Sequence, residues 1–214
     1  MKIGVLGAGA VGQALGKGFA GIGHDVKIGT RDPGQEKITS WIAKTGPRAS
    51  AGSYAEAAAF GELLVLATPW SGTQNAITLS DTKNFSGKIV IDVTNPLDFS
   101  AGPPPKLALG HTDSGCEQVQ RWVRAGRVVK AFNIVGNADM VNPKFQGGPP
   151  DMFICGNDDA AKKTVTEILT KFGWATIDLG NIEAARYIEP LAMVWITYGF
   201  RTNLWSQAFK LLRK

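Results

Sequence analysis

Three glycines at fixed spacing, Gly7-x-Gly9-x-x-Gly12, separate a short apolar run, Lys2–Leu6, from a stretch with helical periodicity, Gln13–Gly21. A strand that turns straight into a helix constrains the main chain at each of these points. The first glycine permits the tight turn. The second lets the backbone approach a pyrophosphate, and the third lets helix and strand pack closely. The unpaired N–H groups of the helix's first turn are then available to phosphate oxygens. Gly7, Gly9, Ala10, Val11 and Gly12 are therefore expected to hold the phosphates of a dinucleotide. A tight strand–helix turn without a ligand is the plainer alternative.

The rest of the chain keeps alternating. Strands are expected at Asp25–Gly29, Arg48–Ala51, Glu62–Ala67, Lys88–Val93, Arg127–Ala131, Met152–Cys155 and Trp174–Asp178. Helices are expected at Pro33–Lys44, Tyr54–Phe60 and Asp158–Phe172, and after the Ser114-x-x-Glu117 capping pattern through Arg124. This order argues for a Rossmann-type α/β fold, a doubly wound parallel sheet with helices on both faces. Asn95–Pro105, with Pro96 and Pro103-Pro104-Pro105, reads as a loop, and Ala184–Leu212 as mostly helical. The expected division is a dinucleotide-binding Rossmann domain over residues 1–180 and a small C-terminal helical extension over 181–214.

The end of the second strand selects the dinucleotide. NAD enzymes place a carboxylate there, about 20 residues past the glycines, to accept from the ribose 2′-hydroxyl. This chain has Gly29-Thr30-Arg31-Asp32. Gly29 takes the acid's position, Thr30 offers a hydroxyl, and Arg31 offers a planar fork suited to a phosphate. NADP(H) is the expected cofactor. Asp32 would serve NAD if the register slipped by a few residues.

Composition narrows the classes further. Hydrophobic residues make up 44% and charged residues 19%, so the chain can bury a core and is not disordered in the main. The net charge of +5 is concentrated: Arg201, Lys210, Arg213 and Lys214 put +4 in the last 14 residues, leaving +1 on the other 200. A nearly neutral body argues against nucleic acid. The longest apolar stretch, Leu191–Phe200, is too short to span a bilayer. With Met1-Lys2 leading directly into a strand, a cytoplasmic protein without a leader or membrane partner is expected. Two cysteines, Cys116 and Cys155, and two histidines, His24 and His111, give no pattern for a disulfide framework or a metal site, and no metal is expected.

The glycine loop, the Gly29-Thr30-Arg31 turn, Thr68-Pro69-Trp70, Val93-Thr94-Asn95-Pro96, Val129-Lys130-Ala131-Phe132-Asn133 and Phe153-Ile154-Cys155-Gly156-Asn157-Asp158 occur in that order. Together they resemble the NADP oxidoreductase family that works with the deazaflavin coenzyme F420, and the oxidoreductase domain of the STEAP metalloreductases. The resemblance runs from Met1 to about Phe200. It implies NADP(H) at the C-terminal edge of the sheet and hydride transfer to a deazaflavin or flavin. It also implies 2′-phosphate contacts from Thr30 and Arg31, a cofactor-side loop at Thr68, Pro69 and Trp70, and a nicotinamide-side loop at Phe132 and Asn133. Deazaflavin-dependent members carry a histidine near that last loop. This chain has Phe-Asn, as in the metalloreductase branch.

The segments that follow expected parallel strands should open on one edge of the sheet. Thr68, Pro69, Trp70, Thr94, Asn95, Pro96, Phe132, Asn133, Ile134 and Val135 are thus the expected cleft walls, with Ile134 and Val135 keeping the site apolar and the amides of Asn95 and Asn133 offered to ring carbonyls. Trp70, Phe132 and Trp195 are candidates to pave a ring site, core filling being the alternative. Hydride transfer between stacked rings needs orientation and dryness, not a side-chain nucleophile, so no catalytic side chain is expected. Two rivals stand beside this reading: a reductase of a small carbonyl or imine compound, with Lys130 as a possible proton source, and a non-catalytic sensor of NADP(H). Finally, Pro190–Leu212 is apolar over more than one helical stripe, which suggests a homodimer.

Overall fold

The computed structural model describes residues 1–214. Its centre is β4, Leu63–Leu66, a run of four apolar residues buried on both faces. A strand can be apolar on both faces only where helices cover both. The neighbours of β4 are β1 (Lys2–Leu6) and β5 (Ile89–Asp92), each buried over at least four residues. Beyond β1 lie β2 (Asp25–Gly29) and β3 (Ala49–Gly52). Beyond β5 lies β8 (Arg127–Lys130). These six strands are mutually parallel. Because the chain winds outward from β1 in both directions, β1 and β4 flank the point where strand order reverses. Ligands of doubly wound sheets bind at that point.

Helices α1 (Ala10–Gly21), α2 (Glu36–Thr45), α3 (Tyr54–Phe60), α4 (Trp70–Leu79) and α5 (Gly115–Trp122) make the connections. Each begins where local chemistry permits. At α3, Ser53 and Glu56 form a reciprocal capping box. At α5, the Ser114 hydroxyl accepts from the Glu117 N–H, but the Glu117 carboxylate does not return to the Ser114 main chain. It takes the Ser114 hydroxyl and the Arg186 guanidinium instead.

The structure departs from the expected layout in three places. β9 (Asp151–Gly156) runs antiparallel to β8, and β10 (Ala175–Asp178) follows β9, so the sheet is mostly rather than wholly parallel. Helix α6 (Asp159–Lys171) joins these last two strands, capped by the Asp158 carboxylate. Within the expected loop after β5, two-residue strands β6 (Leu97–Asp98) and β7 (Lys106–Leu107) pair into a small antiparallel ribbon.

The third departure is at the C-terminus. Helix α7 spans Ala185–Thr202 and stops at Asn203, which turns left-handed at φ 57°. Residues 203–214 are not helical and fold back over α7. Trp205 lies over Gly199, with its ring centroid 5.5 Å from Trp195 and 5.2 Å from Phe200. The Gln207 side-chain amide donates to the Trp195 carbonyl, and the Trp195 indole donates to the Gln207 carbonyl. The tail then pairs with Asp151 at the head of β9. Apolar spacing alone did not distinguish a continuing helix from a strap packed on the preceding one. No helix is long and apolar enough to cross a membrane.

Candidate functional site

The C-terminal ends of β1, β4 and β5 open into a cleft with two lobes. The larger, about 330 Å³, is lined by Gly9–Val11, Ala67–Ser71, Val93–Asn95, Leu97 and Phe99. The smaller, about 270 Å³, is lined by Arg31, Tyr54, Thr68, Pro69, Ser71, Gly72, Asn75 and Ala76. Thr68, Pro69 and Ser71 border both, so the lobes adjoin.

The glycine loop has the expected shape. Gly7 sits at φ 123°, pressed against the Ala67 backbone, and its N–H donates to the Gly29 carbonyl at 3.1 Å. A Cβ on Gly12 would strike the Gly7 carbonyl, so the third glycine sets the closeness of helix to strand. Gly9 has nothing within 4 Å of where a Cβ would sit. It is also the N-cap of α1, with no side-chain cap and no acidic residue in the first turn. The first-turn N–H groups therefore lack a side-chain acceptor and retain their attraction for an anion.

At the end of β2, a Cβ on Gly29 would lie 2.9 Å from the Ala57 Cβ and 3.2 Å from the Tyr54 Cα. No carboxylate side chain fits there. Arg31 lines the smaller lobe instead, close enough to Tyr54 for its charge to oppose the upward push that burial gives the phenol. The Asp32 carboxylate accepts from the Gly34 N–H at 3.1 Å and closes its own turn, outside both lobes. Thr30 caps the strand, donating its N–H to the Gly52 carbonyl.

The opposite wall is braced by hydroxyls and rings. Thr68 and Thr73 share a hydrogen bond of 2.9 Å, and the Thr73 hydroxyl also donates to the Pro69 carbonyl. Trp70 lines the larger lobe and stacks on Trp122, with centroids 5.5 Å apart and an interplanar angle of 27°.

Behind this wall lies a buried ion cluster. The Lys130 ammonium is 2.7 Å from Asp92, 2.9 Å from Glu189 and 2.7 Å from the Thr94 carbonyl. Asp92 also accepts from the Thr94 N–H and hydroxyl. Glu189 accepts from the main-chain N–H groups of Gly115 and Cys116, tying α7 to the start of α5. Burial alone would lower the lysine's affinity for its proton. The Asp92 and Glu189 carboxylates override that and hold it well above the ordinary lysine range. Lys130 is thus a fixed, charged strut with no face on the cleft, which removes it as a proton source for a small substrate. Cys116 is buried beside this cluster, and burial pushes its thiol well above the usual range.

Of the residues expected from the sequence, Gly9, Ala10, Val11, Thr68, Pro69, Trp70 and Asn95 line the larger lobe, and Arg31, Thr68 and Pro69 line the smaller. Gly7 and Gly12 shape the loop from beneath. Phe132 is not a cleft wall. At φ 63° it turns the chain, and its ring is fully buried, 6.0 Å from the Phe172 ring. Asn133, Ile134, Val135 and Pro96 are buried too and line neither lobe, whereas Thr94 does line the larger one. The two asparagine amides are engaged with each other: Asn133 Nδ2 donates to Asn95 Oδ1 at 2.9 Å, and Asn95 Nδ2 donates to the Asn133 carbonyl at 2.7 Å. Trp195 packs on Trp205 and Gly136, away from the cleft. Leu97, Phe99, Tyr54 and Asn75 were not foreseen as lining residues. A strand-forming pair after Pro96 was the available signal for the first two.

Sequence and structure comparisons fit this geometry. The family described as NADP oxidoreductase, coenzyme F420-dependent, matches residues 2–96, which supply β1 to β5 and most of both lobes. A crystal structure of a candidate F420-dependent NADP-reductase from Arthrobacter sp. FB24 superposes with a TM-score of 0.94, at 40% identity over 100% of both chains. The F420-dependent NADP reductase of Methanocaldococcus jannaschii is 34% identical over 66% of this chain and 63% of its own length. Metalloreductase STEAP3 of Rattus norvegicus is 30% identical over 90% of this chain and 36% of its own length. The chain therefore spans less than two thirds of these last two relatives. With a match that runs the full length of one solved relative and through the loop built on Gly7, Gly9 and Gly12, the chain belongs to the coenzyme F420-dependent NADP oxidoreductase family, a family of NADP-dependent oxidoreductases.

Proposed function

We propose that the chain transfers a hydride between NADP(H) and a flavin-like ring, with the deazaflavin coenzyme F420 as the first-choice acceptor and a flavin as the second. The observation that carries this reading is the lining of the larger lobe: none of its 13 residues has a titratable side chain. A small carbonyl or imine substrate must gain a proton along with its hydride, and an enzyme that reduces one needs a positioned acid. A tricyclic ring in an open-mouthed cleft exchanges its proton with solvent. The apolar lining suits a transfer that must exclude water.

In this reading Gly7, Gly9, Ala10, Val11 and Gly12 hold the pyrophosphate, and Thr30 and Arg31 hold the 2′-phosphate. Thr68, Pro69, Trp70 and Asn95 border the nicotinamide, with Pro96, Phe132 and Asn133 supporting that wall from behind. Bound NADPH supplies the hydride, and the protein supplies orientation and dryness. Residues 1–180 carry the cofactor cleft. Residues 181–214 brace it through Glu189 and present an apolar face, with Val194, Tyr198 and Leu204 each more than 45% exposed, to a second copy of the chain. The protein works in the cytoplasm, without nucleic acid or a membrane.

The test is single-turnover transfer from 4-deuterated NADPH to deazaflavin and to FMN. Deuterium should appear in the reduced ring of at least one. Its absence from both would sink the reading.

A further inference from the structure

The ribbon that follows Pro96 reaches the mouth of the cleft with an aromatic side chain that nothing in the fold requires. Phe99 is 57% exposed, yet it lines the larger lobe beside Leu97. The other exposed large hydrophobic residues lie elsewhere, mostly on α7 and the tail, and none lines this lobe. An exposed ring on a floppy loop would be unremarkable. This one is held. The Asp98 carboxylate accepts from the Ser100 N–H at 2.8 Å and from its hydroxyl at 2.9 Å, and the Gly102 N–H donates to the Phe99 carbonyl at 2.9 Å. At the base of the ribbon, the Ala108 N–H donates to the Pro96 carbonyl at 2.7 Å. β6 rests against α4 and β7 against α7, so the ribbon is supported by two helices. The turn therefore fixes the backbone of an apolar ring at the opening of an uncharged cavity. The ribbon brings no net charge with it, since Asp98 and Lys106 stand opposite each other in the pair.

We propose that Phe99 is an acceptor-binding residue: its ring packs on the flat face of the multi-ring hydride acceptor and selects for that shape. This deepens the function proposed above and rests on it. An aromatic pair contributes modestly beyond buried area, so losing the ring should cost about tenfold in acceptor affinity. Phe99 is a largely exposed side chain at the mouth of the larger lobe and does not line the smaller lobe where Arg31 sits, so cofactor affinity should not change.

The experiment compares the wild type with Phe99→Ala and Phe99→Trp, using deazaflavin, FMN and riboflavin as acceptors. Riboflavin lacks a phosphate, so its KM reports the ring and its neutral ribityl chain without an anionic group. NADPH affinity is read separately by fluorescence titration without acceptor. Expected for Phe99→Ala is an acceptor KM raised about tenfold, NADPH affinity within twofold of wild type, and recovery in Phe99→Trp. If the wild type reduces an acceptor and Phe99→Ala leaves its KM unchanged, the inference is wrong and the proposed function stands. Parallel losses for NADPH and acceptor also overturn it, because they place Phe99 on the cofactor. If the wild type reduces none of the three, the proposed function falls and takes this inference with it.

Discussion

Lys130→Met removes one charge from the buried cluster and keeps most of the side chain's apolar length. In the native protein the ammonium sits within 2.9 Å of both Asp92 and Glu189, and the three side chains are at most 2% exposed. Without it, two carboxylates remain in one dry site with no counter-ion. Removing one partner of a buried ion pair costs about 3–5 kcal/mol. For a chain of this length each kcal/mol moves Tm by about 2–4 °C, so the expected drop is about 6–20 °C. The pH dependence follows from the same contacts. Lys130 has a folded pKa raised above its unfolded one. Its contribution is therefore complete below the ordinary lysine value of about 10.4 and is lost only as pH rises beyond it. Between pH 6 and 9 the wild type should show no stability change from this group. Thermal melts of both proteins across that range are the assay. Should Lys130→Met fail to fold, Glu189→Gln leaves the Lys130–Asp92 pair in place and should cost less, about 1.5–3 kcal/mol for the charged hydrogen bonds lost. A drop of under 3 °C for Lys130→Met at pH 7.5 would refute the reasoning, because a strut in contact with two carboxylates cannot be removed that cheaply.

Two further outcomes are expected. Arg31→Ala should weaken NADPH binding by roughly 10- to 100-fold, the loss of a charge-assisted hydrogen bond worth about 1.5–3 kcal/mol, and leave NADH almost untouched. Equal losses for both cofactors would remove Arg31 from the 2′-phosphate. Sedimentation at micromolar concentration should give a dimer closed over the exposed face of α7, and a monomer there would leave that face without its proposed partner.

How far the sequence carried depends on where each signal is written. The central strands were legible because runs such as Leu63–Leu66 are apolar on both faces, which only a covered sheet allows. The glycine loop was legible because Gly7 and Gly12 have no room for a Cβ and Gly9, between them, keeps the open approach to the helix's first turn, so the three-glycine spacing shows in the sequence itself. Strand direction is not written locally, so the reversal at β9 was invisible. The ribbon at Leu97 and Lys106 was hidden by its two-residue strands and by the prolines between them. Phe132 was misplaced for a specific reason. Its position after β8 points to the cleft, but the left-handed turn at that residue sends the ring back into the core. The ion cluster needed residues 92, 130 and 189 in one place. Even so, a lysine inside a strand expected to be buried is a demand for a buried acid, and Asp92 ends the neighbouring strand.

The link between Lys130 and Glu189 also has a consequence for how the chain is made. The two residues are separated by 59 positions. At synthesis rates of about 5–20 residues per second, Glu189 is added some 3–12 s after Lys130. The parallel strands from β1 to β8, and with them the glycine loop, emerge earlier and can pair in that interval. During it the start of α5 is without the carboxylate that later receives its N–H groups. The cofactor edge of the sheet is thus assembled before the residue that fastens it has been synthesised, and docking of α7 is the step that completes the wall.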